Sequence, residues 1–136
     1  ILQVESDDKT LLEAIGLVKD SPALLGISVL QASQPEDFSQ IISMADQVVI
    51  FSGNLGEHGG VADLELLSKI PVIRKIKKEI EIAWDGGITS THIAELSEAG
   101  VDVFYVGGEI HRSEDPYSKL RELQDLADST TSVQQS

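Results

Sequence analysis

Short apolar runs alternate with amphipathic stretches along the whole of this 136-residue chain. The apolar runs predict strands at residues 1–5, 24–30, 47–52, 80–84 and 101–106. The stretches after them carry apolar positions at helical spacing and predict helices at residues 7–19, 33–45, 63–79, 90–98 and 115–128. The run at 24–30 is apolar on both faces, which is typical of a strand buried in a parallel sheet.

Residues that start and stop helices support these boundaries. Asp7 is expected to cap the first helix, and Ser33 has capping-box spacing to Glu36 for the second. Pro71 requires a break or the first turn of a new helix, because proline lacks the backbone N–H that a helix interior uses. Gly100 is expected to end the fourth helix. The last residues, 128–136, are polar and without period, and we expect a disordered tail.

Repeated strand–helix units require a parallel sheet with right-handed crossovers. Five such units fit two α/β arrangements, an open doubly wound sheet and a part of an eight-stranded barrel. The hydrophobic pattern is the same in both. The choice therefore needs a feature other than periodicity.

Glycine pairs follow the last two predicted strands and favour the barrel. Gly86 and Gly87 come directly after the fourth strand, and Gly107 and Gly108 after the fifth. Glycine allows backbone N–H groups to approach an anion closely, and barrel enzymes commonly bind phosphate after their last two strands. Asp85, at the end of the fourth strand, stands where such barrels keep their chemistry. The spacing predicts one phosphate site with a carboxylate beside it.

Composition narrows the class of partner. The formal net charge of −13 disfavours nucleic acid and anionic membranes as partners, and the chain has no cysteine for thiol chemistry. A phosphorylated ligand would need local positive potential, which glycine N–H groups can supply. We expect one cytoplasmic domain. Because the chain begins at Ile1, directly on a strand, we also expect natural sequence upstream.

Several of these stretches, in their order and spacing, resemble the ribulose-phosphate 3-epimerase family of (β/α)8 TIM barrels. Residues 85–88 (Asp-Gly-Gly-Ile) match the family's strand-seven motif, and residues 99–102 (Ala-Gly-Val-Asp) match the next helix end. Residues 56–60 stand where the family has a Gly-Phe-Gly-Gly-Gln loop, residues 107–108 where it has a Gly-Ser pair, and residues 112–116 before the last helix. The resemblance implies that residues 1–127 are the C-terminal portion of one barrel domain, with only the last five βα units present.

The resemblance implies an isomerase that interconverts ribulose 5-phosphate and xylulose 5-phosphate by acid/base proton transfer at carbon 3. Asp85 matches the strand-seven aspartate and is implied to be one acid/base group and one ligand of a divalent metal such as zinc. The phosphate of the ketose is expected on six glycines, Gly59, Gly60, Gly86, Gly87, Gly107 and Gly108.

Departures from the family pattern motivate a second hypothesis. Gln3 stands where the family has a histidine, Phe51 near a methionine, and Leu55 in place of a proline. The alternative is a non-catalytic or divergent phosphosugar-binding barrel protein. Since five barrel strands leave two unpaired edges, we expect a homo-oligomer or association with the missing N-terminal half.

Overall fold

The structure contains the five predicted strands in one parallel sheet. It is a computed structural model that describes residues 1–53 and 60–134, with residues 131–134 described by their backbone alone. The strands are β1 (Leu2–Gln3), β2 (Gly26–Val29), β3 (Gln47–Phe51), β4 (Glu81–Asp85) and β5 (Val103–Tyr105). All four neighbouring pairs are parallel.

The order of the strands decides between the two arrangements left open by the sequence. Each strand pairs with the strand before it and the strand after it in the chain, in the order β1-β2-β3-β4-β5. A doubly wound sheet would reverse its order at a switch point, whereas a (β/α)8 barrel keeps it sequential. The chain is therefore part of a barrel-type winding, as predicted.

Helices follow the strands as expected, with one addition. They are α1 (Asp8–Lys19), α2 (Ser39–Met44), α3 (Lys69–Ile76), α4 (Ile93–Glu98), α5 (Gly108–His111) and α6 (Pro116–Gln134). Two 3₁₀ helices, Pro35–Phe38 and Leu64–Ser68, precede α2 and α3. The short α5 was not predicted, because four residues are too few to show a period. Within the described residues, no helix has the length and apolar character needed to cross a membrane.

Three of the predicted helix signals are confirmed. The Asp7 carboxylate accepts a hydrogen bond from the Thr10 N–H at 3.1 Å and caps α1. Pro71 lies in the first turn of α3, just after the 3₁₀ segment ends. Gly100 has φ +106°, and the Gly100 and Val101 N–H groups close the end of α4 on the carbonyls of Ser97 and Leu96.

Two sequence predictions are corrected by the structure. Ser33 does not cap a helix: Pro35 forces Gln34 into an extended conformation, and the 3₁₀ segment begins there without a side-chain cap. The predicted disordered tail, residues 128–136, is also corrected as far as residue 134, because α6 continues to Gln134, and residues 135–136 lie outside the described residues. Thr130 is buried, which shows that the helix remains packed beyond residue 128, and its hydroxyl donates to the Leu126 carbonyl at 3.1 Å.

The two faces of the sheet have different surroundings. On one face, alternate strand residues join the helices in one core, including Ile27, Val29, Val48, Ile50, Ile82 and Trp84. The alternate positions, Gln3, Ser28, Gln47, Val49, Phe51, Glu81, Ala83, Asp85, Val103 and Tyr105, lie on the other face, where a barrel would have its interior. Polar contacts cross this face: Tyr105 Oη donates to Gln47 Oε1 at 3.0 Å, and Gln47 Nε2 donates to Glu81 Oε1 at 2.5 Å.

Candidate functional site

The two glycine turns leave the sheet side by side. Strand register pairs Asp85 of β4 with Tyr105 of β5. Gly86 therefore starts its turn beside the segment that leads to Gly107, at the carboxyl edge of the sheet. The structure thus brings together two of the glycine pairs that the sequence singled out.

Gly86 and Gly87 are fixed by the loop that precedes α3. Their φ angles are +111° and +66°, a region that disfavours side-chain-bearing residues. A Cβ on Gly86 would collide with the Ser52 carbonyl oxygen, and one on Gly87 with the backbone of Val61 and Ala62. The Ala62 N–H donates to the Gly87 carbonyl at 3.1 Å. Both glycines are therefore required by local packing, whatever ligand their amides contact.

Trp84 supports the same turn from the core side. Its indole is completely buried among the helix-facing residues, and its Nε1–H donates to the Gly86 carbonyl at 3.0 Å. Because successive strand residues point to opposite faces, burying Trp84 on the helix side directs Asp85 to the opposite face.

Asp85 has a half-buried carboxylate that makes no hydrogen bond or ion pair with the described residues. Its own carbonyl accepts from the Ser52 N–H at 2.8 Å, which holds the backbone of the strand end. Burial raises the pKa of the Asp85 carboxyl above its usual value. The side chain does not cap α4, whose first flanking residue, His92, provides no side-chain cap. Asp85 therefore has the geometry of an available acid/base group.

Gly107 and Gly108 begin α5, and their surroundings differ. Gly107 is exposed, and a Cβ there would meet nothing within 4 Å. A Cβ on Gly108 would lie 2.8 Å from Nη1 of Arg112, because this guanidinium folds back against the glycine. The carboxylate of Glu109 lies 4.0 Å from the Lys119 ammonium of α6, which directs it toward α6.

The structure describes Gly60 but not Gly59. Gly60 is exposed and lies two residues before Ala62, which contacts Gly87. It is thus near the first glycine turn along the chain. Gly59 lies outside the described residues, as does the rest of the 54–59 segment.

A network of hydrogen bonds at the carboxyl edge of the sheet, not predicted from the sequence, links the ends of the strands from β1 to β4. Glu5 accepts from the Leu30 N–H at 2.9 Å, and Gln31 Nε2 donates to Asp63 Oδ2 at 2.8 Å. The Asp63 N–H in turn donates to the Ser52 hydroxyl at 2.8 Å. Since Ser52 contacts Asp85 and Gly86, this hydrogen-bond network positions the loop against which the glycine turn packs.

Lys69 is the buried cation of this edge. Its side chain is 6% exposed, and its ammonium donates to the carbonyls of Leu30 at 2.9 Å, Gln31 at 3.0 Å and Ser33. Burial lowers the pKa of Lys69, while Glu5 and Glu36 act in the opposite direction. The sequence signal was present: Lys69 shares the apolar stripe of Ile70 and Ile73, where a lysine must find partners.

A metal needs more ligands than the described part of the chain brings together. Among the described residues, no group of three or more His, Asp or Glu side chains is close enough to hold an ion. Asp85 could supply one ligand, and His92 Nδ1 is engaged with the Thr89 hydroxyl at 3.2 Å. The described residues do not by themselves fit a divalent metal.

Comparison with known proteins gives one consistent family. The model of the ribulose-phosphate 3 epimerase family matches residues 1–111. Ribulose-phosphate 3-epimerase of Mycobacterium tuberculosis is 30% identical over 116 residues, which cover 80% of this chain and 51% of the relative. The Aquifex aeolicus enzyme of the same name is 29% identical over 121 residues, covering 86% and 54%. The chain thus spans about half the length of the relatives it matches.

A solved structure supports the fold. The 3-hexulose-6-phosphate synthase of Salmonella typhimurium superimposes with a TM-score of 0.74 over 94% of this chain and 60% of the other. The sequence identity is 19%, so this likeness bears on the fold alone.

Proposed function

The chain belongs to the ribulose-phosphate 3-epimerase family, and from this premise we propose that it carries the phosphate-binding turns and one acid/base group of a sugar-phosphate isomerase. The proposed reaction interconverts ribulose 5-phosphate and xylulose 5-phosphate by proton transfer at carbon 3. The proposed place of action is the cytoplasm.

The observation that carries the proposal is the position of Asp85. Its carboxylate is half-buried, has no partner among the described residues and stands directly before the Gly86–Gly87 turn. A group that removes the proton from carbon 3, or delivers one to the opposite face of that carbon, must be free to change its protonation state. The raised pKa of Asp85 brings proton uptake closer to neutral pH, which favours such a role.

The phosphate group would lie over the glycine turns. Gly86 and Gly87 follow β4, and Gly107 and Gly108 follow the paired strand β5, so that amides from both turns can approach one anion. Gly60 and Gly59 would add amides from the loop before α3. Holding the phosphate fixes the distance from the sugar to Asp85, and this positioning is a large part of catalysis.

A divalent metal is implied by the family, and it would supply charge stabilisation to the intermediate when bound. Asp85 would be its ligand from this part of the chain. The remaining ligands would have to come from residues other than those described, because the described residues form no cluster of three. This chain's own contribution is the carboxylate and the phosphate turns.

We also propose that the barrel-interior face is covered in the working protein. β1 and β5 end the described sheet, and each pairs with one strand. Another part of the barrel or a second copy of the chain would pair with these edges and cover the face that carries Asp85. Size-exclusion chromatography with light scattering of the 136-residue chain tests this proposal. A stable monomer of that chain would contradict it.

The decisive experiment is an epimerase assay on the full-length protein with ribulose 5-phosphate. Asp85→Asn should lower kcat by about 10²–10⁴-fold, as expected when an acid/base group is lost. Asp125→Asn is the matched control, since Asp125 is exposed on α6. Turnover that survives in Asp85→Asn would contradict the proposal.

A non-catalytic phosphosugar-binding protein is the second candidate. It is favoured because proton transfer that inverts carbon 3 needs an acid/base group on each face of that carbon, and the described part of the site holds one such group, Asp85. Titration calorimetry with ribulose 5-phosphate separates the two candidates. Binding of the sugar phosphate without turnover would support the binder, and turnover would exclude it.

A further inference from the structure

A phosphorylated ligand faces an electrostatic obstacle on this chain. Its formal net charge is −13, and three of the cations that could offset that charge are engaged or distant. Lys69 is occupied by three carbonyls, and Lys119 lies 2.7 Å from the Glu122 carboxylate. Arg74 lies 2.8 Å from the carboxylate of Asp102, which precedes β5 and so belongs to the opposite edge of the sheet.

Arg112 differs from these cations in both position and partners. It follows α5 directly, and its guanidinium lies against Gly108, with Nη1 2.8 Å and Cζ 3.3 Å from the place of a Cβ. Its charged group makes no hydrogen bond or ion pair with any residue that the structure describes. Arg121 of α6 also lacks a partner among the described residues, so the contact with Gly108 is what sets Arg112 apart.

The nearby carboxylates are occupied elsewhere or do not reach it. Glu109 is directed to Lys119. Asp115 accepts from the N–H groups of Tyr117 and Ser118 and from the Ser118 hydroxyl, and these bonds hold it at the start of α6. Glu114 is exposed and forms no ion pair with Arg112 in the described structure. The guanidinium is thus left with its donors free beside the second glycine turn.

We propose that Arg112 is the cationic contact for the phosphate group at the Gly107–Gly108 turn. The inference rests on the proposed function, which puts a sugar phosphate over these glycines. A guanidinium offers five donors in a planar fork that matches a phosphate, and it remains charged at every physiological pH. The absence of a side chain at Gly108 leaves room for the guanidinium, since any side chain there would push the guanidinium away from the turn.

Inorganic phosphate is the probe, and the full-length protein is titrated at low ionic strength by calorimetry. Arg112→Ala should weaken phosphate binding about 10-fold or more, because a charge-assisted hydrogen bond is lost. Arg112→Lys should recover part of the loss, since it keeps the charge without the fork. Gly108→Ala should weaken binding as well, by displacing the guanidinium.

Arg121→Ala is the control, because it removes the same charge from an exposed position on α6. It should change the affinity less than about 2-fold, since screening limits the effect of a charge that makes no contact. Equal affinities for Arg112→Ala and Arg121→Ala would overturn the role of Arg112 and leave the glycine site standing. Failure of the unmodified protein to bind phosphate would overturn the glycine site and this inference together.

Discussion

Replacing Gly87 by alanine tests how the first glycine turn is built. At φ +66°, alanine costs about 1–2 kcal/mol in backbone strain. Its Cβ would also collide with the backbone of Val61 and Ala62, which cannot move without weakening the 3.1 Å hydrogen bond from the Ala62 N–H. Overpacking adds about 1–3 kcal/mol and the hydrogen bond about 1 kcal/mol. We expect a loss of roughly 3–6 kcal/mol in the free energy of unfolding, the sum of these terms.

The assay is urea and thermal unfolding of the full-length protein, with two further glycine variants for comparison. In a domain of about 150–250 residues, where each kcal/mol lowers the Tm by about 2–4 °C, the Gly87→Ala loss corresponds to a Tm lower by roughly 6–24 °C. Gly100→Ala, with φ +106° but an ordinary 3.5 Å contact, should cost about 1–3 kcal/mol from strain alone. Gly107→Ala, with open space around it, should stay within about 0.5 kcal/mol. The reasoning is refuted if Gly87→Ala is as stable as Gly107→Ala.

Three further predictions concern charged groups. Burial raises the pKa of Asp85 in the folded protein, so the charged carboxylate lowers the folding stability once the pH has risen through that pKa. Asp85→Asn should therefore be more stable than the unmodified protein at pH 7 and equally stable near pH 3. Thermal unfolding at the two pH values measures the difference. Lys69→Met should lower the free energy of unfolding by about 2–4 kcal/mol, because three carbonyls lose their donor, and an unchanged urea midpoint would contradict this. Hydrogen bonds from the Ser118 hydroxyl and N–H lower the pKa of Asp115. The stability that Asp115 adds by capping α6 is therefore present above the usual aspartate pKa and is lost as pH falls through the folded-state pKa. Asp115→Ala should lower the Tm at pH 7 and leave it unchanged at strongly acid pH.

The glycine turns and the carboxylate were accessible to sequence reasoning for a local reason. A strand that ends in Asp-Gly-Gly before a helical pattern predicts a tight turn, and this signal lies within a few consecutive residues. The sequence did not reveal that Gly86 and Gly87 are also pressed against the loop before α3. That contact joins residues far apart in sequence, namely Ser52 with Gly86 and Ala62 with Gly87.

Lys69 and Arg112 illustrate what long-range and local packing each add. Lys69 was recognisable as a charge on an apolar stripe, but its three carbonyl partners lie in a loop more than thirty residues earlier in the chain. Arg112 matched a family segment, while its seat on Gly108 depends on the turn of α5, which is too short to leave a periodic pattern. Side-chain partners of this kind depend on tertiary geometry and not on spacing.

The sequence by itself determined the alternation of strands and helices, the caps of α1 and α4, and the place of Asp85 and the glycine pairs, because hydrophobic period and turn chemistry act over a few residues. The tertiary structure decided the sequential strand order, the face to which Asp85 points and the cation beside the second turn. It also decided that residues 128–134, predicted from the sequence to be disordered, belong to α6. These features depend on which distant segments bury one another, and the free energy of that burial is not written in any local pattern.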